Sequence, residues 1–190
     1  AMNGANTVSY NTAVGAYALY GSVGTPGMTG SRNTAVGYYA GYSHTTGYNN
    51  ALFGFSAGGN LSTAYGTTLI GAYCASGAST ATGSTAVGYY ALDSLTTGTH
   101  NVAVGPGAGG NITGGQYNIA LGYYAWGFAT TTGASGAGTG SHNIYMGYYA
   151  GANTTTGSQN TGFGVRALDS CTTGNYNHAI GGDALADLTT

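Results

Sequence analysis

The sequence predicts an all-β protein, a parallel β-solenoid or β-roll of about ten 17-residue coils, on the strength of its period, its composition and the constancy of each position within the period. Laying the glycine of Asn118-Ile119-Ala120-Leu121-Gly122-Tyr123-Tyr124-Ala125 over the rest of the chain finds nine more copies. The aligned glycines are Gly15, Gly37, Gly54, Gly71, Gly88, Gly105, Gly122, Gly147, Gly164 and Gly181, and seven of the nine steps are 17 residues. The other steps, 22 and 25, are the same unit with an insertion. A fixed period of this kind is the signature of stacked repeats. Thirty-eight glycines argue against helix, while two prolines and the absence of a three-residue glycine spacing exclude collagen. Eighteen tyrosines and a charged fraction of 3% argue against disorder.

Taken in order, residues 1 to 10 read as an incoming partial coil. The first repeat, Asn11 to Leu19, is followed by an insertion at about Tyr20 to Thr29 that contains Pro26-Gly27, a loop signal. Repeats two to seven run from Asn33 to Trp126 without interruption. A second insertion, about Gly127 to Gly140, precedes repeats eight to ten. The whole of 1–190 is expected to be a single repeat domain. Because Leu188-Thr189-Thr190 matches Leu95-Thr96-Thr97, after which Gly98 follows, the chain is expected to be a piece of a longer protein.

Within the unit, the residue before the glycine is large and apolar in every copy: Val14, Val36, Phe53, Ile70, Val87, Val104, Leu121, Met146, Phe163 and Ile180. It is expected to form the core. The residue before that is alanine in six copies and Gly162 in a seventh, and neighbouring strand residues point to opposite faces. This small-residue face is expected to lie against a neighbouring chain, with Leu52, Leu69 and Tyr145 interrupting it. Three residues after the glycine stand nine alanines and Cys74, where only a small side chain fits.

Four residues before the glycine are eight asparagines, replaced by Thr67 and Ser84 in the other copies. They predict a stacked amide ladder at a corner, where asparagine also tolerates the left-handed conformation. A further glycine three residues earlier in seven copies predicts a second corner. Each coil is thus expected to hold about two short strands joined by turns.

Asn33-Thr34-Ala35-Val36-Gly37-Tyr38-Tyr39-Ala40 and its relatives at 84–91 and 118–125 resemble the repeats of bacteriophage tail fibres, often found upstream of a self-cleaving intramolecular chaperone domain. They are also similar to the shorter repeats in the heads of trimeric autotransporter adhesins. The resemblance covers nearly all of residues 11 to 190. It implies a left-handed coil, a homotrimer, an extracellular location on a virion tail fibre or cell surface, and attachment to a host-surface glycan or protein.

Few residues suggest chemistry. Arg32 and Arg166 are the only fixed cations, too few to neutralise nucleic acid or anionic lipid. No apolar run approaches the roughly 18 to 20 residues of a membrane span, so neither nucleic acid nor membrane insertion is expected. The cysteines Cys74 and Cys171 fall in repeats four and nine, too far apart to bridge. His44, His100, His142 and His178 have no metal-ligand spacing, and His100 and His142 share a row with Tyr10, Arg32, Asn49, Tyr117, Gln159 and Tyr176 that reads as exposed and tolerant. Asp93 and Asp169 read as turn residues, and Asp183 and Asp187, though close in sequence, are not expected to act as a catalytic pair. No enzyme activity and no cofactor are expected.

The candidate ligand surface is aromatic. Tyr38, Tyr39, Tyr89, Tyr90, Tyr123, Tyr124, Tyr148 and Tyr149, with Trp126, recur along one side. One tyrosine of each pair is expected to pack between coils and the other to lie wet at the surface, either as a structural ladder or as a platform for neutral sugars. Two rival functions accompany attachment: a self-assembling extracellular filament or matrix protein, and an ice-binding solenoid suggested by recurrent threonine pairs, whose array is expected to be broken because the threonine beside the glycine is lost in repeats three, four and six.

Overall fold

The computed structural model describes residues 10–21, 29–127 and 137–190. Each repeat contributes one three-residue strand. These are β1 (Thr12–Val14), β2 (Thr34–Val36), β3 (Ala51–Phe53), β4 (Thr68–Ile70), β5 (Thr85–Val87), β6 (Val102–Val104), β7 (Ile119–Leu121), β8 (Ile144–Met146), β9 (Thr161–Phe163) and β10 (His178–Ile180). All ten form one parallel sheet in chain order, and equivalent residues pair, as in Val87 with Val104 and Val104 with Leu121. The chain is therefore a parallel β-solenoid. Parallel pairing needs a crossover, and the remainder of each coil supplies it.

The crossover is made of turns rather than a second strand, which corrects the expectation of two strands per coil. Beyond the named strands the described residues carry only isolated bridges, Tyr48 with Tyr65 and Ile112 with Gly138. Backbone conformation explains this. The second residue after the aligned glycine has a left-handed φ, as at Tyr39 (60°), Tyr90 (56°) and Arg166 (53°), and so does the fourth, as at Leu92 (54°) and Leu168 (57°). Alternating left-handed residues curl the chain and leave no extended run. No β-branched side chain stands in either row, consistent with its high cost there. Backbone bonds still stitch coil to coil, as where Leu92 N donates to Ala108 O at 2.9 Å and Gly109 N to Ala125 O at 2.8 Å.

The two faces of the strands are the reverse of the sequence expectation. The middle strand residue is buried, and Ala35, Leu52, Leu69, Ala86, Ala103, Ala120 and Tyr145 are fully enclosed. The large apolar residue before the glycine points out, leaving Val104 41%, Phe53 39% and Ile180 78% exposed. A coil this thin has room inside for alanine against alanine, and the second inner row, Ala18 to Ala167 with Cys74, is also fully buried.

Leu52, Leu69 and Tyr145 are consequently core residues, not interruptions of an interface. The row four residues after the glycine compensates for their volume. Gly151 stands where a Cβ would meet the Tyr145 ring at 2.5 Å, and Gly58 where it would meet the Leu69 side chain at 3.0 Å. Several coils with a small strand residue put a large one in that row instead, as with Ala86 and Leu92, Ala120 and Trp126, or Gly162 and Leu168, while Gly41 and Gly109, in the coils of Ala35 and Ala103, make room for Leu52 and Leu92 of adjacent coils. Large and small residues are thus matched both within a coil and between adjacent coils, which keeps the interior densely packed.

The asparagine ladder is present and buried. Asn118 Nδ2 donates to Asn101 Oδ1 and to Gly140 O, both at 3.0 Å, while its own Oδ1 accepts from the Asn143 backbone at 2.9 Å. Its physical basis differs from the expectation in one respect. The left-handed residue is the one before the asparagine, such as Arg32, Asn49, His100 or Gln159, and that row is exposed as expected. The second-corner glycines owe their identity to closeness: a Cβ on Gly47 or Gly115 would strike the carbonyl oxygen of Ala64 or Gly140 in the next coil.

Candidate functional site

Two surfaces stand out on the solenoid, one continuous and one interrupted. The first is the outer face of the sheet, a file of apolar side chains from Val14 to Ile180 at one per coil. In-register parallel pairing forces the file to be straight, because each member sits opposite its equivalent.

The second surface is the tyrosine face. The first member of each pair is exposed, with Tyr38 at 43%, Tyr89 at 55%, Tyr123 at 46% and Tyr148 at 50%. The second members, Tyr39, Tyr90, Tyr124 and Tyr149, are half-buried and left-handed. Within a pair the rings meet edge to face at 4.3 to 4.6 Å, and between coils they stack, Tyr123 on Tyr148 at 5.5 Å and Tyr124 on Tyr149 at 5.6 Å. The phenols of Tyr39 and Tyr90 are raised above their ordinary value, chiefly by the hydroxyls of Tyr38 and Tyr89 beside them, so they stay neutral in ordinary conditions. The pairs are brought together as the sequence predicts.

Trp126 does not belong to this surface. It is fully buried, edge to face with Tyr145 at 5.5 Å, and its Nε1 donates to Thr154 O at 2.7 Å. Its place in the compensating row, opposite Ala120, is the reason. Sequence reading also missed rings that extend the face: Phe55 stacks on Tyr38 at 5.4 Å, and Tyr20 lies parallel to Tyr42 at 5.4 Å. The period could have found them, since each pair occupies equivalent positions in successive coils.

The polar residues mostly serve the coil. His44 is enclosed, with Nδ1 3.2 Å from Leu61 O and Nε2 3.0 Å from Gly47 O, and burial pulls its pKa below the ordinary histidine value. His100 and His142 stack on opposite sides of Tyr117 at 5.1 and 5.2 Å. Among the described residues no group of three His, Cys, Asp or Glu side chains comes together to hold a metal ion. Both cysteines are free and buried, and burial pushes the Cys74 thiol up to about 12. Asp183 pairs with Arg166 Nε at 2.7 Å in an exposed ion pair. No described helix is long and apolar enough to cross a membrane.

The threonines form a more continuous column than expected. Thr46, Thr63, Thr80, Thr97, Thr139, Thr156 and Thr173 occupy one row, broken at Gly114. The adjacent inner hydroxyls are consumed by the next coil, as where Thr45 Oγ1 donates to Ser62 O at 3.1 Å and Thr96 Oγ1 to Thr113 O at 3.1 Å. Of the two insertions, residues 22–28 and 128–136 lie outside the described residues. Comparison of the chain with protein-family models, with curated proteins and with solved structures found no match.

Proposed function

We propose that the chain is a rigid, non-enzymatic shaft or head segment of a phage tail fibre or bacterial surface adhesin, left-handed and homotrimeric, that works outside the cell in attachment to a host-surface glycan or protein. The observation that carries the reading is the outer file of the sheet, Val14, Val36, Phe53, Ile70, Val87, Val104, Leu121, Met146, Phe163 and Ile180, in which every member is at least partly exposed on one chain and six are exposed. Nine steps at a strand spacing of ~4.8 Å make it about 43 Å long. An unbroken apolar file of this length exceeds what a lone chain ordinarily leaves in water. Two further copies cover it without new chemistry, since a surface with so few charges opposes no association. The sequence resemblance supplies the number three and the hand.

Light scattering tests this directly: three chains per particle are expected, and a particle of 18.7 kDa removes the reading. Attachment is assigned to the side carrying both insertions, about 20–29 and 127–140, because loops vary there without disturbing the coil. Shortening each to restore the 17-residue step should leave melting unchanged and abolish attachment to host cells.

The threonine column favours a second reading, ice binding, in place of attachment. A row of exposed threonines at coil spacing offers a regular array of methyl and hydroxyl groups. Thermal hysteresis of the purified segment would establish it, and its absence at millimolar concentration would dismiss it.

A further inference from the structure

Between Tyr17 and Tyr149, before Arg166 and Asp183 end it, the left-handed tyrosine row has two vacancies, and they are not alike. The row reads Tyr17, Tyr39, Ser56, Tyr73, Tyr90, Gly107, Tyr124 and Tyr149, all with left-handed φ. At Gly107 the neighbouring ring has closed the space: a Cβ there would meet the Tyr124 ring at 2.5 Å, and Gly107 is buried. At Ser56 the space stays open. Tyr73 stacks on Tyr90 at 5.0 Å and leans on Phe55 at 5.1 Å, and Tyr39 packs on Tyr42 at 4.6 Å, while no ring contact joins Tyr39 to Tyr73 among the described residues. The second aromatic row stops there too, since Tyr20 and Tyr42 are followed by Gly59 and Ser76.

The result is a cavity of about 350 Å³ between Tyr39 and Tyr42 on one side and Tyr73 on the other, floored by Ser56, Gly59 and Asn60. We propose that this gap is a binding slot for one neutral pyranose ring of a glycan. Its walls belong to coils two apart, so they stand about 9.6 Å from each other, twice the ordinary strand spacing. One pyranose chair inserted midway has its ring centre about 4.8 Å from each wall, close to the 5.0 to 5.6 Å at which the tyrosines stack on one another.

The floor supplies the polar contacts. Gly59 leaves room for the Ser56 hydroxyl, which a Cβ at Gly59 would meet at 2.7 Å. Asn60 Nδ2 is engaged with Ser76 O at 2.9 Å, which fixes the carboxamide and leaves its Oδ1 to accept from a sugar hydroxyl. The charge of the slot decides the class of sugar. Its lining side chains are neutral, and the one charged group tied to it is Asp93, whose Oδ1 accepts from Ser76 Oγ at 2.8 Å. A carboxylate at the edge with no cation beside it disfavours sialic and uronic acids and accepts hydroxyl donors from a neutral ring.

The slot rests on the attachment reading for its purpose, while its chemistry can be tested apart from it. Saturation-transfer NMR on the intact segment, with methyl β-glucoside, methyl β-galactoside and N-acetylglucosamine as probes and sialic acid as the acidic control, should show transfer to at least one neutral ring and none to the acid. Ser56→Tyr restores the missing rung in a conformation that tyrosine adopts in neighbouring coils, so it should fold and melt as the parent does while weakening that binding at least tenfold. Neutral sugars that bind Ser56→Tyr as well as the parent, or fail to bind the parent, overturn the slot. So does preferential binding of an aromatic probe, N-acetyltyrosine amide, which would mark a protein side chain as the occupant. Loss of cell attachment on shortening the insertions, with sugar binding intact, would separate the loops' role from the slot's.

Discussion

Adjacent residues of one strand live under opposite rules in this molecule. Ala103 is enclosed and Val104, its neighbour, is 41% exposed. The inner position is limited by volume, because the opposite wall of the coil is another alanine row, and the larger residues there, Leu52, Leu69 and Tyr145, stand in coils whose other inner row holds Gly58, Ala75 or Gly151. The outer position has no such limit and is filled throughout by Val, Ile, Leu, Phe or Met. Size therefore reports burial inversely: the small residue is the core of the chain, and the large one is kept for another surface.

The strongest way to break this comparison is to place the same charge on each face. Ala103→Asp buries an unpaired carboxylate between two stacked coils, at a cost of several kcal/mol, and only neighbouring coils can absorb it. Folding of the central coils should be lost, seen as loss of the far-ultraviolet signal. Val104→Asp should leave each chain folded and instead dissociate the particle, seen as a fall in scattering mass. Equal damage from both substitutions would abolish the distinction between the faces.

The period made the parallel stacking, the small inner row and the exposed row of Arg32 and His100 legible from sequence. It could not say which face was inside. Alternation separates residues into two sets without labelling them, and the usual rule that large apolar residues are buried selects the wrong set in a coil too thin to hold them. Trp126 was misplaced for a related reason. Its adjacency to Tyr123-Tyr124 suggested a common surface, whereas Trp126 stands in the buried row four residues after the glycine and packs inside against Tyr145. The tyrosine pairs were placed correctly because their exposure follows from having two bulky rings in a row at a turn.

Volume compensation sharpens the comparison at a smaller scale. Tyr145→Ala should cost about 3–5 kcal/mol, as for other large aromatic deletions in cores. Adding Gly151→Leu should recover a substantial part, since coil eight then adopts the arrangement of Ala86 with Leu92, and leucine tolerates the left-handed φ in that row. Denaturation of the single and double variants decides the matter. A double variant no more stable than Tyr145→Ala would mean that the two positions do not share one space.

The asparagine corner should respond more mildly. Asn118→Ala removes an acceptor for the Asn143 backbone N–H and a donor to Gly140 O, leaving buried groups unpaired at about 1–3 kcal/mol. Asn118→Ser should cost less, because Ser84 already fills this position and its Oγ accepts from Asn101 N at 3.2 Å. Hydrogen exchange should show the damage confined to the adjoining coils, and a uniform loss of protection along the chain would contradict nearest-neighbour stacking.

The smallest effect concerns acid and the inside of a single coil. His44 occupies the row held elsewhere by Leu61, Leu95 and Ile112, and the groups facing its ring are the carbonyls of Leu61 and Gly47. These carbonyls favour the imidazolium, but burial opposes it and prevails, so the folded pKa lies below the unfolded value of about 6.5. The unfolded chain therefore binds more protons between the two values. Stability should be at its full value above about pH 6.5 and decline as the pH falls toward the folded pKa, with a slope of at most about 1.4 kcal/mol per pH unit. His44→Leu should remove this slope while preserving the packing. Melting measured from pH 8 to 5 on both chains checks the sign: if the parent gains stability on acidification relative to His44→Leu, the two carbonyls outweigh desolvation, and the interior of this coil is polar enough to hold a charge.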